Sequence, residues 1–499
     1  MKSRAPVGEA VSFPLQTREL ETIASVCSKT VRMRRFSLCL AVCMLALGKA
    51  WAGSLERSYW VWHRAKPLSA EESAELERQE VGTLFWSVGE MENRGGAWRW
   101  KAPPLALDAV APRFHVVPVV RLTSEGKTPF AAEAMAGLLE KLKAVATGAG
   151  EVQLDYDCPD RLLADYAAAL GEIRRTVPRV SITALAHWPR LRDFAALTKN
   201  VSEIAPMFYD MQRDPTGVGP DAPPPPILDP ERVAAALADW RACAIRWRAG
   251  LPTFARLTVF DRMGLSRGQI PNWSWEDFCF HKSLHALAPT RLGVTLFRAD
   301  ADTRVAATPV AKGEIVASRF TDRAALAQSV ERAREAGAAG IVCFRLPDGS
   351  DPAGWSLGDL AKLASPALPR LILRQSAGEQ LELVNDSPFD LAPRLGGEKD
   401  DRDRGYALEL DAPAPVFREA LAGDFWRVTS HANPDAKTPK AVAVPLATRL
   451  TFWFGDLRAG AARRTGLLQF APGATLAGVR YRILNCEGAH EWKPLQIPP

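Results

Sequence analysis

The sequence predicts an α/β fold, a (β/α)8 TIM-like barrel followed by a small all-β sandwich domain. Three observations predict it. Between residues 59 and 346, strand-like apolar runs recur eight times, with helical patterns between most of them. The fourth run, Glu151 to Pro159 (EVQLDYDCP), alternates Val152, Leu154 and Tyr156 with Gln153, Asp155 and Asp157. A period of two places both aspartates on one face at the strand's C-terminal end, where barrels of this kind present reactive side chains. Past Leu363 the texture changes to short strands between Gly, Pro, Asn and Asp turns, the pattern of a sandwich.

Residues 1–52 read as a leader outside the fold. Met33, Arg34 and Arg35 open a basic region, Phe36 to Leu47 form an apolar core, and Ala50-Trp51-Ala52 fits small-x-small cleavage. That is a secretory signal peptide spanning 33–52, with Met33 as the true start and residues 1–32 a misassigned extension. The apolar run is too short for a transmembrane anchor. Val42 before Cys43 disfavours a lipoprotein signal. The expected destination is the periplasm or the outside of the cell.

The elements then follow in order. Tyr59 to Arg64 is the first strand, and Ser69 with Glu72 forms a capping box for the next helix. Val81 to Val88 is the second strand and Phe114 to Leu122 the third. Thr128 and Pro129 are expected to start a helix running through Val145. After the fourth strand, Asp160 is a candidate N-cap for a helix with apolar positions Leu162, Leu163, Tyr166, Leu170 and Ile173. Val180 to Ala186 and Glu203 to Tyr209 are strands five and six. Pro220 to Pro230, with six prolines, is a stiff surface loop, and Asp229-Pro230 starts a helix to about Trp247. Leu251 to Phe260 is expected as strand seven and Gly340 to Leu346 as strand eight. Between them, residues 262–320 form an insertion with a hairpin pairing 292–300 with 314–320, and a helix follows from Thr321 to Ala336. The barrel is therefore assigned to 53–364. The sandwich, 365–499, has strands near Arg370–Arg374, Gln380–Asn385, Tyr406–Leu410, Leu450–Phe454 and Gly478–Leu484.

Composition narrows the partners. The chain carries 63 Lys plus Arg against 57 acids, and removing the leader leaves 55 against 54. A near-neutral protein has no electrostatic support for nucleic acid or an anionic membrane. Five cysteines remain, Cys158, Cys243, Cys279, Cys343 and Cys486, none in CxxC spacing. An odd, scattered set argues against a disulfide framework or a zinc site. No HExxH or phosphate loop is present, so no metal and no cofactor are expected.

Residues arriving at the C-terminal ends of the strands carry the chemistry. They are Trp62, His63 and Arg64, then Trp86, Glu90, Arg121, Asp155, Asp157, His187, Trp188, Tyr209, Asp210 and Arg345. Indole faces stack on sugar rings, and paired carboxylates serve acid and base roles in glycosidic cleavage, so the expected partner is a carbohydrate. Trp273 and Trp275 could extend the groove from the insertion. The rival reading makes Asp155 and Asp157 part of a structural network with Arg121 or Arg345. Trp60 reads as core, and His63 and His187 as hydrogen-bonded structure. Gly264-Leu-Ser266-Arg-Gly268 matches a GxSxG nucleophile elbow, but Asp261 and Arg262 break the strand before it and Gly268 and Pro271 prevent a helix after it.

LDYDCP, followed by a helix carrying Tyr166, resembles the strand-four signature of family-18 glycoside hydrolases, the chitinase-like barrels. MFYDM at 207–211 resembles their strand-six Met-x-Tyr-Asp motif, and their barrels also carry an α+β insertion after strand seven. The layout from 59 to 363 is more closely similar still to domain-of-unknown-function family 3142. The resemblance implies Asp157 as proton donor and Asp155 as the residue orienting a substrate acetamido group. It implies Tyr209 and Asp210 as support for a cyclised intermediate. Asp157 stands where the family has glutamate, and Gln153 replaces a further aspartate. Three functions follow as expectations: a glycoside hydrolase-like enzyme, a catalytically inactive glycan-binding barrel, or an envelope structural protein.

Overall fold

The computed structural model describes residues 55–495, apart from position 63 and short stretches at 108–110, 127, 288–290, 348–353, 366–367, 377–378, 396–403, 437–438 and 474–477. The expected leader, residues 1–52, lies outside the described residues. Eight parallel strands form the barrel: β1 (Glu56–Val61), β2 (Thr83–Arg94), β3 (His115–Ser124), β4 (Glu151–Asp155), β5 (Arg179–Leu185), β6 (Glu203–Met207), β7 (Arg248–Pro252) and β8 (Gly340–Phe344). Each pairs with the next, and β1 pairs with both β2 and β8, so the sheet closes. Closure leaves no barrel edge and sets the strand ends in one ring.

Helices on the outside are α1 (Ala70–Arg78), α2 (Ala132–Ala146), α3 (Leu163–Thr176), α4 (Phe194–Thr198), α5 (Pro230–Trp240) and α6 (Arg323–Glu335). The capping box of α1 forms as expected: Ser69 accepts from the Glu72 amide, and Glu72 accepts from the Ser69 amide. Asp229 caps α5 through the amides of Glu231 and Arg232. Three helix boundaries are corrected. Thr128 caps nothing, since α2 begins at Ala132 after Ala131, without a side-chain cap. Asp160 opens a 3-10 turn, Asp160–Leu162, and α3 follows it. The α5 helix ends at Trp240, seven residues short of the expected end, because Trp247 already leads into β7. A short strand, Ala97–Trp100, folds back on β2 where no helix intervenes before β3.

The seventh strand is also corrected. Pro252, Thr253 and Phe254 divide the expected run: β7 stops at Pro252, and Ala255–Phe260 joins the sheet of the insertion. That antiparallel sheet has five strands in the order Ser266–Ile270, Ala255–Phe260, Ile315–Phe320, Val294–Ala299 and Leu284–Ala286. The expected hairpin is present, with Val294–Ala299 against Ile315–Phe320.

The barrel interior is packed by Trp60, Phe85, Val117, Val119, Ala205 and Val342. At its N-terminal end the buried Arg248 donates to Glu203 at 2.5 Å and to Glu56 at 2.6 Å. With that end closed by ion pairs, the opposite end holds the open space.

The C-terminal sheets build the sandwich around Leu383, Leu408, Leu410, Leu450 and Phe452. One sheet has six strands, among them Tyr406–Asp411, Arg449–Phe454 and Arg480–Leu484, and a three-stranded sheet includes Leu371–Ser376 and Gln380–Asn385. The sandwich meets the insertion through Arg463, which donates to Glu276 at 2.6 Å, and through Phe280, stacked on Trp426 at 4.6 Å.

Candidate functional site

A pocket of about 960 Å3 opens at the C-terminal ends of the barrel strands. Its floor includes Trp60, Asp155, Thr183, Met207, Tyr209 and Phe344, and its wall is the segment Gln269 to Trp273 of the insertion. Trp60 crosses the barrel because β7 has a glycine opposite it. A Cβ at Gly250 would lie 2.8 Å from the indole ring and 2.9 Å from the Pro206 carbonyl oxygen. The indole Nε1 donates to Gln153 Oε1 at 2.6 Å. Gln153 is two residues before Asp155, on the same strand face.

Asp155 closes β4 and accepts a 2.8 Å hydrogen bond from Thr183 Oγ1 on β5. Burial, reinforced by the charge of Asp157, pushes its carboxyl up to about 6, although the Thr183 bond and the Arg121 charge act the other way. Asp157 lies past the strand end. The Cys158 amide donates to the Tyr156 carbonyl at 2.7 Å, a three-residue turn centred on Asp157. Its side chain is exposed on the pocket. Of the two carboxyls, burial acts on Asp155, while Asp157, the proton donor that the resemblance implies, is exposed.

Tyr209 lines the same pocket, stacked face to face on Phe344 at 5.6 Å and edge-on to Phe254 at 6.2 Å. Burial raises its hydroxyl, as do the charges of Asp155 and Asp157, so it remains a donor. Asp210 reaches the pocket too, but its carboxylate is held by both terminal nitrogens of Arg256, at 2.5 and 2.7 Å. Arg256 pairs across the insertion sheet with Arg319, which bonds Asp214 at 2.5 Å and Thr258 at 2.8 Å. Two adjacent arginines thus fasten the loop after β6 to the insertion.

Trp62, Arg121 and Arg345 line the pocket as well. Four other candidates do not. Trp86 is fully buried and donates from Nε1 to the Arg64 carbonyl, because Phe85 takes the inward position on β2 and Trp86 the outward one. Trp188 is also fully buried, edge-on to Tyr166 of α3. Neither indole can reach a sugar ring. Glu90 makes an ion pair with Lys101 at 2.8 Å. His187 is exposed and bonds Asp160 at 2.8 Å, away from the pocket. His63 lies outside the described residues. Of the insertion tryptophans, Trp273 lines the pocket and Trp275 is buried against Phe320. Ser266 begins an exposed antiparallel strand, not a strand-to-helix elbow.

Sequence reasoning missed Thr183, Arg256 and Phe344. Thr183 and Phe344 sit on strands that were identified, so strand register could have found them. Arg256 carries no local signal, because its partner Asp210 is 46 residues away.

No protein-family model matches the chain, and none of the curated proteins matches it in sequence. The finer likeness to domain-of-unknown-function family 3142 therefore has no support from a family model. Similar solved structures are chitinase-like barrels. The spore cortex-lytic enzyme SleL of Bacillus megaterium is 14% identical over 60% of this chain and 72% of its own, with a TM-score of 0.42. A chitinase from Chromobacterium violaceum is 13% identical, covering 60% and 96%, with a TM-score of 0.41. A glycoside hydrolase family 18 N-acetylglucosaminidase from Paenibacillus barengoltzii is 13% identical, covering 60% and 96%, with a TM-score of 0.38.

Proposed function

We propose that this chain is an exported glycoside hydrolase-like protein that binds and cleaves a polysaccharide, with N-acetylhexosamine units as its first candidate substrate. The observation that carries the reading is the pair Asp155 and Asp157 in one open, aromatic-floored pocket at the barrel mouth. Trp62 offers an apolar face to a sugar ring. Asp157 reaches into open space, where it can give a proton to the glycosidic oxygen as the C–O bond breaks. Water then supplies the hydroxyl at the anomeric carbon and restores the proton. Asp155, buried and hard to ionise, suits a hydrogen bond to a substrate amide. Tyr209 supplies a hydroxyl donor beside it.

Asp157→Asn tests the acid role on the mature protein with a panel of polysaccharides and a reducing-end assay. Turnover is expected to fall roughly 10²–10⁴-fold while binding persists. Unchanged turnover removes Asp157 from the mechanism. A second reading, a glycan-binding barrel without catalysis, is favoured by the exposure of Asp157, since a proton donor works best enclosed. It expects saturable oligosaccharide binding and no product from the unaltered protein.

A further inference from the structure

The pocket sorts its arginines into occupied and free. Arg64 donates twice to Glu72, at 2.8 and 2.6 Å, and Arg256 is held by Asp210. Arg121 is exposed, lines the pocket and makes no hydrogen bond or ion pair among the described residues.

Its position makes that freedom unusual. Arg121 stands in register with Glu90 on one neighbouring strand and with Asp155 on the other. An arginine flanked by two carboxylates at one level of a barrel would ordinarily bridge them. Here both carboxylates are engaged elsewhere, Glu90 by Lys101 at 2.8 Å and Asp155 by Thr183 at 2.8 Å. The planar guanidinium, with five donors, is left facing the pocket. A neutral sugar hydroxyl would use one or two of those donors. A carboxylate uses them in a bidentate fork and also neutralises the charge.

We infer that the saccharide bound in this pocket is anionic, with a carboxylate on a sugar ring or its substituent seated against Arg121. The inference rests on the glycan reading above and deepens it. Asp157, which likewise makes no hydrogen bond or ion pair among the described residues, lies in the turn beyond the end of β4, one step past the row that holds Arg121. The anionic group and the proton donor thus take separate places. A sulfated sugar shares the same chemistry and is separated by the test.

Calorimetric titration of the mature protein would use three oligosaccharides of equal length: a neutral N-acetylglucosamine oligomer, an oligouronate and a sulfated oligomer. The oligouronate is expected to bind about tenfold or more tightly than the neutral oligomer, the yield of one charge-assisted bidentate contact. In Arg121→Gln that preference should shrink to within about threefold, and Arg121→Lys should recover only part of it. Tighter binding of the sulfated oligomer than of the oligouronate overturns the carboxylate assignment. Equal affinity for neutral and acidic oligomers, or a preference that survives in Arg121→Gln, overturns the inference and leaves the glycan reading standing. Binding of none of the three overturns both.

Discussion

Trp60 Nε1 donates to Gln153 Oε1 at 2.6 Å across the barrel interior, joining β1 to β4 directly beneath the pocket. Both residues are buried, with Trp60 1% exposed and Gln153 1%. Here a neutral amide gives the indole a partner without bringing a third charge under Asp155 and Asp157.

Trp60→Phe removes the donor and leaves a buried amide oxygen without a partner. A loss of about 1–3 kcal/mol of stability is expected, read from urea unfolding. Adding Gln153→Leu should restore part of it, because neither polar group is then orphaned. A double variant no more stable than Trp60→Phe alone would show that the bond is not the source of the loss.

Asp155→Asn tests the electrostatics of the floor. The Asp155 carboxyl, about 6 in the fold against 3.8 ordinarily, stays protonated in the native state while the unfolded chain ionises. The native state then binds more protons between pH 4 and 6, so stability attributable to this residue falls as pH rises through that window and levels off above it. The asparagine variant escapes that penalty and can still accept from Thr183. It should match the parent near pH 3.5 and exceed it by on the order of 1–3 kcal/mol at pH 7.5. A difference independent of pH would mean that the carboxyl is not held back from ionising.

Trp62 and Trp188 separate binding from packing. Trp62 lines the pocket, edge-on to Phe344 at 5.8 Å, so Trp62→Ala should weaken oligosaccharide binding roughly 2–10-fold. Trp188→Ala should instead cost about 3–5 kcal/mol of stability through the cavity it leaves. Glycan titration beside denaturant unfolding distinguishes them, and a binding defect confined to Trp188→Ala would reverse the assignment.

Much of this was legible in the sequence. Seven of the eight barrel strands, the hairpin of the insertion and the change to a sandwich follow from hydrophobic periodicity, which is a local property. The joint arrival of Asp155, Asp157, Tyr209 and Arg121 at one pocket follows from the rule that strand ends gather at one face of a barrel. The division of Leu251 to Phe260 was hidden because both halves are apolar. Only the change of sheet partner at Pro252 to Phe254 reveals two strands.

What the sequence by itself determined is the order of strands, the capping of α1 and α5, and the placing of Asp155, Asp157, Arg121 and Asp210 at the ends of strands. The tertiary structure alone decided their roles. Trp86 and Trp188 are buried away from the pocket because facing is set by the neighbour a strand or turn packs against. Asp210 was taken by Arg256 and Glu90 by Lys101, through contacts whose partners the linear order does not announce. Arg121 has no hydrogen bond or ion pair among the described residues for the same reason: its two neighbours in register are already bonded, Glu90 by Lys101 and Asp155 by Thr183. Burial and pairing are properties of three-dimensional packing, and they separate a carboxylate or an arginine at the site from one that is only near it.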